Sequence, residues 1–196
     1  MTHLVVFASG SGTNFQAIID AVEAGKIPAV ITGLLTNKRE AKAVKRAEKH
    51  GIPVRVLSDK DYDDQQQYVN ELLSQLEAWS ADLLVLAGYM RKIPEPVVAT
   101  YRNRIVNIHP SLLPKYGGKG FYGDRVHRAV LEAGEKETGV TVHLVDEEYD
   151  RGPVLEQRKV EVKDDDTVDS LAFRIHKTEH QLYPEVLARF IREELT

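Results

Sequence analysis

Leu4-Val5-Val6-Phe7-Ala8-Ser9-Gly10-Ser11-Gly12-Thr13-Asn14-Phe15 changes its period in the middle, and that change decides the fold. Leu4 to Ala8 is continuously apolar, as suits a strand covered on both faces of a parallel sheet. Beyond Asn14 the apolar residues recur as Phe15, Ile18, Ile19 and Val22, the spacing of one helix face, and Gly25 marks its stop. Outward from this unit, residues 29–35 read as a second strand. Residues 40–50 form a charged helix closed by Gly51, and residues 53–57 a third strand. A helix over roughly residues 61–79 carries Tyr68, Leu72, Leu73 and Leu76 as its apolar stripe, and residues 83–87 and 104–108 are further buried strands. Strands alternating with helices predict an α/β fold: one Rossmann-like domain over residues 1–196, with a mostly parallel twisted sheet and helices on both faces.

The second half reads differently. Val140-Thr141-Val142-His143-Leu144 and Val160-Glu161-Val162 alternate, which predicts half-covered strands near a sheet edge. The helical region from Thr167 onward contains Tyr183-Pro184, expected to kink or divide it.

Composition narrows the function classes. With 42% hydrophobic and 29% charged residues, the chain has the make-up of a globular domain. Its formal charge is −4 with Lys and Arg scattered, which disfavours a nucleic-acid partner. The lack of cysteine excludes disulfides, a thiol nucleophile and thiolate-held metals. No apolar run approaches the ~20 residues that span a bilayer, so no membrane association is expected. The first strand begins almost at Met1 without a charged-then-apolar leader, and the expected compartment is the cytoplasm.

In open sheets of this kind ligands bind beyond the carboxyl ends of the strands. There the Ser9–Asn14 loop can turn tightly and offer helix N–H groups to an anion, with Thr13 or Asn14 capping the helix or reaching a phosphate oxygen. It is not a dinucleotide fingerprint, since Phe15 stands where a third glycine belongs and the second strand ends in Thr36-Asn37 without an acidic residue. A phosphate-binding turn and a plain strand–helix turn both remain open readings.

Arg104-Ile105-Val106-Asn107-Ile108-His109-Pro110 carries more. Residues two apart on a strand share a face, so Asn107 and His109 project together at the strand end while Ile108 packs behind. An amide and an imidazole side by side suit acyl transfer to an amine, one donating to a developing oxyanion and the other handling a proton. A structural histidine satisfied by its neighbours is the competing reading. Asp150, before Gly152-Pro153, has two readings as well: a turn aspartate, or a carboxylate that supports His109.

Taken together, Gly10-Ser11-Gly12-Thr13-Asn14, Asn107-Ile108-His109-Pro110-Ser111-Leu112-Leu113-Pro114 and Asp150-x-Gly152-Pro153 resemble the phosphoribosylglycinamide formyltransferases. The resemblance spans essentially the whole chain, including Gly88-Tyr89-Met90-Arg91 and Glu179-His180-x-x-Tyr183-Pro184. It implies the formyltransferase fold and transfer of a formyl group from 10-formyltetrahydrofolate, the co-substrate, to the amine of glycinamide ribonucleotide in purine biosynthesis, by direct attack and without a metal. By position it implies Asn107, His109 and Asp150 as the catalytic trio. It further implies Gly12, Thr13, Asn14 and Glu179 as contacts to the ribonucleotide, and Met90, Arg91, Lys92, Ile93 and the 146–150 stretch beginning at Asp146 as the folate pocket. The partners expected are these small molecules, for a monomer or homodimer.

One departure stands out. Some members carry an arginine that meets the acidic tail of folate where this chain reads Asp63-Asp64-Gln65-Gln66-Gln67, with Gln65 nearest that position. The glycine-rich 115–124 segment is expected to be a flap over the folate site. His3, His50 and His127 read as surface or helix residues, Trp79 as packing, and Asp164-Asp165-Asp166 as a solvated turn. His143 is either satisfied in the core or a support to the site, and His176 and His180 lie near Glu179 without a ligand set for metal. Formylation of a tRNA would bring a further C-terminal domain, hydrolysis of formyl-folate an N-terminal one, and a mere metabolite sensor would not need Asn107, His109 and Asp150 together.

Overall fold

Leu4 and Val6 of the first strand point to one side of the sheet and Val5 and Phe7 to the other, and all four are fully buried. The computed structural model, which describes residues 1–195, is built on that alternation. Seven strands form one sheet in the order β3-β2-β1-β4-β5-β6-β7. They are β1 (Thr2–Phe7), β2 (Ala29–Thr36), β3 (Val54–Val56), β4 (Leu83–Leu86), β5 (Ile105–His109), β6 (Glu137–Leu144) and β7 (Val154–Glu161). The first five pair in parallel, and β6 and β7 run antiparallel.

Helices cover both faces. On one side α1 (Thr13–Glu23), α2 (Lys42–Lys49), α5 (Asp124–Glu132) and α6 (Val168–Glu194) pack over Leu4, Val6, Val85 and Val106. On the other, α3 (Gln65–Ala78) and α4 (Glu95–Thr100) pack over Val5, Phe7, Leu84 and Ile105. The α3 stripe is as expected, with Tyr68, Leu72 and Leu76 buried, but the helix begins at Gln65 because the Asp64 side chain caps it through the Gln66 N–H. Trp79 is packing: a Cβ on Gly33 would stand 2.4 Å from its ring.

Three expectations need correction. β6 is not half-covered: residues 138–143 are all buried. The Ser111–Pro114 run lies across it, with Thr141 Oγ1 donating to the Ser111 carbonyl (2.6 Å) and accepting from Leu113 N–H (3.0 Å) and Gln157 Nε2 (2.9 Å). The alternating, half-exposed strand is β7, at the sheet edge. Pro184 does not divide α6, which runs unbroken over 27 residues. Its middle is held by burial of Leu182, Tyr183, Val186 and Leu187, and the Tyr183 hydroxyl donates to the carbonyls of Leu86 and Val106, so tertiary contacts outweigh the lost helix bond. Lastly, Asp166 is no solvated turn residue. Its side chain is 2% exposed and ion-paired with Arg174, which together with Ser170 and the Lys163 N–H holds the carboxyl far below its usual range.

Among the described residues, no helix is long and apolar enough to cross a membrane. The chain leaves β1 in one direction toward β2 and β3, then returns to the other side of β1 with β4 and β5. That reversal opens a crevice at the carboxyl ends of β1 and β4, the usual ligand position in such sheets.

Candidate active site

A cavity of about 520 Å³ occupies that crevice. The segments after β1, β4, β5 and β6 line it, together with the 118–123 glycine loop and residues of α5 and α6. Every one of Gly12, Thr13, Asn14, Met90, Arg91, Lys92, Ile93, Asn107, His109, Asp146, Asp150 and Glu179 is on its wall. Gln65 does not line it and is exposed at the start of α3.

The β1–α1 turn depends on Gly12, whose φ of 68° is left-handed and whose added Cβ would sit 2.8 Å from Ala43 Cβ. Neither Thr13 nor Asn14 caps α1, contrary to expectation: Gly12 is the N-cap and no side chain bonds the first-turn N–H groups. Asn14 instead donates from Nδ2 to Glu179 Oε2 at 3.0 Å. Burial pushes Glu179 up to about 7 despite this bond, so near neutral pH it holds its proton about half the time. Ser9, which the sequence reading passed over, ties the turn to the neighbouring strand ends, donating to Asn37 Oδ1 (2.5 Å) and accepting from Met90 N–H (2.9 Å).

At the end of β5, Asn107 and His109 face the same way while Ile108 packs into the α6 side of the core. Asn107 lies opposite His143 in the β5–β6 ladder, and its Nδ2 is 3.0 Å from His143 Nε2. His143 Nδ1 is 2.8 Å from the Leu144 carbonyl. A carbonyl only accepts, so Nδ1 carries the proton and Nε2 accepts from Asn107. His143 therefore supports the site, and one of the two Asn107 amide hydrogens remains for another acceptor.

Asp150 reaches both histidines. Its Oδ2 is 3.7 Å from His109 Nδ1 and accepts from Gly118 N–H at 2.8 Å, and its Oδ1 is 3.6 Å from His143 Nε2. Burial raises its carboxyl, but the proximity of His143 and His109 and the Gly118 amide outweigh that and leave it below the ordinary value. Asp150 also has φ of 54°, uncommon outside glycine, and residues held in such conformations gather at functional sites. Gly152 permits the turn, since a Cβ there would stand 2.0 Å from the Leu144 carbonyl oxygen. His109 is 5% exposed; burial lowers its pKa, opposed by Asp150 and by the bond from Nε2 to the Tyr116 carbonyl (2.8 Å). The arrangement is a neutral imidazole, an ionised carboxylate and an amide converging on one cavity. Such a set can donate to a developing oxyanion and take a proton from an attacking amine.

Arg91 is held by Asp59, with Nε 2.9 Å from Oδ1, and Lys92 pairs with Glu95 at 3.7 Å. The residue most misread from sequence is His127: it is on a helix, but it is 1% exposed and faces the cavity. A histidine on the apolar Val126/Val130 side of a helix was the available signal. Among the described residues no group of three or more His, Asp or Glu side chains could hold a metal ion.

Comparison with known proteins agrees with this geometry. The formyl transferase family profile matches residues 2–187. A chloroplastic phosphoribosylglycinamide formyltransferase from Vigna unguiculata is 42% identical over 193 residues, 98% of this chain and 62% of that protein. The chain thus spans less than two thirds of that relative's length. The phosphoribosylglycinamide formyltransferase of Escherichia coli K12 is 40% identical over 188 residues, 96% of this chain and 86% of that protein. A crystal structure of phosphoribosylglycinamide formyltransferase from Bacillus halodurans superposes with a TM-score of 0.92 at 41% identity, covering 98% of this chain and 96% of the other.

Proposed function

This chain belongs to the formyl transferase family, and on that premise we propose that it transfers the formyl group of 10-formyltetrahydrofolate to the amine of glycinamide ribonucleotide, a step of de novo purine biosynthesis. The observation that carries the reading is the convergence of Asn107, His109 and Asp150 on the same cavity as the uncapped Gly12–Asn14 turn. One end offers helix N–H groups to a phosphate, and the other offers acyl-transfer groups to a carbonyl. A cavity of about 520 Å³ is within the range of small-molecule sites.

In this reading the amine of the ribonucleotide attacks the formyl carbon directly. Asn107 donates its free amide hydrogen to the oxygen that gains charge. Asp150, ionised at neutral pH, accepts the proton the amine loses, and His109 relays it toward the departing folate nitrogen. Met90, Arg91, Lys92, Ile93 and Asp146 border the folate, Gly12, Thr13, Asn14 and Glu179 border the ribonucleotide, and the glycine-rich 115–124 segment acts as a flap. Residues 1–196 act as one formyltransferase domain with small-molecule partners only, as a monomer or homodimer in the cytoplasm.

The test incubates the protein with 10-formyltetrahydrofolate and follows release of tetrahydrofolate with and without glycinamide ribonucleotide. Release that requires the ribonucleotide, and that disappears in His109→Ala, is the expected result. Release without it marks a hydrolase and removes the proposal.

A further inference from the structure

At the acyl-transfer end of the cavity, His109 and Asp150 each share a hydrogen bond with the same short stretch of backbone. His109 Nε2 donates to the Tyr116 carbonyl at 2.8 Å, and Asp150 Oδ2 accepts from the Gly118 N–H at 2.8 Å. Whatever fixes residues 115–118 therefore fixes the ring and the carboxylate relative to each other. The local chain does not favour its own shape there. Tyr116 has φ of 55°, in the left-handed region, which is uncommon for a bulky residue, and Gly118 follows with φ of 92°. A non-glycine residue stays in that region only where its surroundings over-determine it. Ser111 Oγ donates to the Lys115 carbonyl at 2.6 Å, and a Cβ on Gly117 would stand 3.3 Å from Asp150 Cβ, so the segment is pressed against the site.

The remaining hold on Tyr116 comes from outside the cavity. Glu135 Oε1 accepts from the Tyr116 hydroxyl at 3.0 Å and from Lys115 Nζ at 2.8 Å. Neither Glu135 nor Tyr116 lines the cavity. Glu135 lies between α5 and β6, and its N–H donates to the carbonyl of the fully buried Val130, so its anchor is a helix end. Lys115 and the Tyr116 hydroxyl hold the Glu135 carboxyl below its ordinary value. Burial and the bond to Glu135 raise the Tyr116 hydroxyl above its own. Near neutral pH the acceptor is thus charged and the donor keeps its proton, and charge-assisted bonds are about twice as strong as neutral ones.

We propose that Glu135 is a positioning residue for formyl transfer: through the Tyr116 side chain it fixes both the carbonyl that sets the His109 proton on Nε2 and the N–H that orients Asp150. This rests on the transfer reading above. Glu135 touches neither substrate and acts only through residues 115–118. Burial lowers the pKa of His109, Asp150 and the Tyr116 carbonyl raise it, His143 lowers it, and His127 on α5 senses its charge. Loosening the carbonyl removes one of the two raising influences, so the imidazole then titrates at lower pH and Nδ1 and Nε2 compete for the proton.

Nitrogen–proton NMR of the histidine rings in the full chain, with His109 assigned by its loss in His109→Gln, reads the ring directly. The wild type should show His109 as the Nε2–H tautomer with a slowly exchanging proton. In Glu135→Ala and in Tyr116→Phe that proton should exchange about fivefold faster or more, the tautomers should mix, and the titration midpoint should fall. Over the same variants kcat should drop about tenfold, with both KM values within about twofold. The double variant should lose little beyond the worse single one. A merely structural Glu135 would lower the melting temperature and leave the His109 proton, its titration and kcat as in the wild type, and that result overturns the proposal. A fall in kcat with an unchanged His109 signal overturns it too, because the route through Tyr116 is then absent. If the wild type transfers no formyl group, the transfer reading falls instead, and the His109 spectra alone decide whether Glu135 sets the imidazole. Should Glu135→Ala fail to fold, Tyr116→Phe, which keeps the ring against Phe121, carries the same test.

Discussion

His109 presents Nδ1 to Asp150 Oδ2 across 3.7 Å while its Nε2 donates to the Tyr116 carbonyl at 2.8 Å. The carbonyl bond places the proton on Nε2, so in the neutral imidazole two acceptors face each other across the gap. A proton delivered to either acceptor faces the other across that gap. Replacing Asp150 by Asn keeps the shape and removes the charge. In Asp150→Asn, kcat should fall about 10²–10⁴-fold with both KM values within about threefold. Single-turnover kinetics read this, and a loss of less than about tenfold would remove Asp150 from proton transfer.

Asn107 and His143 should act as a unit. His143 Nε2 accepts one Asn107 amide hydrogen at 3.0 Å and so sets which way the other points. Asn107→Ala is expected to cost about 10²–10³ in kcat, the usual loss for one oxyanion donor. His143→Ala should cost about tenfold or more, and the double variant little beyond Asn107→Ala alone. Additive losses in that cycle would show that His143 does not position Asn107.

Glu179 and His127 should shape the pH dependence of stability in opposite senses. Burial raises the folded pKa of Glu179 from 4.5 to about 7, so over that window the folded state binds more protons than the unfolded and stability falls as pH rises. At about 1.36 kcal/mol per pH unit the limit is about 3 kcal/mol. For His127 the folded value, about 4, lies below 6.5; the unfolded state binds more protons between them, and stability falls as pH drops through that window. Because the two windows nearly coincide, the slopes oppose each other in the wild type. Urea unfolding at a series of pH values should show stability rising with pH across them in Glu179→Gln and falling in His127→Asn. If Glu179→Gln retains the wild-type slope between about pH 4.5 and 7, the carboxyl is ionised in the fold.

Thr141→Val should be more damaging than its near-equal volume suggests. Thr141 Oγ1 serves three partners, the Ser111 carbonyl, Leu113 N–H and Gln157 Nε2, in a buried setting. Removing it leaves buried groups unpaired at about 1–3 kcal/mol each. Because the same run follows His109 and continues to Tyr116, the variant should lose activity along with thermal stability. A melting temperature within about 1 °C of wild type would show that the Ser111–Pro114 run docks without Thr141.

Much of this site was legible along the chain because its signals are local. Gly12 to Asn14 sit where a strand gives way to a helix, and Asn107 and His109 share a face because a strand has a period of two. Other features escaped for reasons equally physical. The β6 pattern Val140-Thr141-Val142-His143 alternates as an exposed strand would, yet Thr141 is buried with partners from the Ser111–Pro114 run and His143 with a partner in Asn107, both distant in sequence. Asn14 had the look of a helix cap, and Glu179, 165 residues away, claims its side chain instead. Pro184 is a local breaker overridden by the packing of Leu182, Tyr183 and Val186.

The sequence by itself determined which strand ends border the cavity and what residue types stand there, since hydrophobic period, glycine placement and strand termination depend on neighbours a few positions away. Only the tertiary structure decided that Asp150 reaches both His109 and His143, that His127 is sealed beside the cavity, and that Glu179 holds a proton toward neutrality. Those properties follow from distance, burial and charge between segments far apart in the chain. Desolvation and Coulomb energies depend on what surrounds a group in space, which no local pattern records.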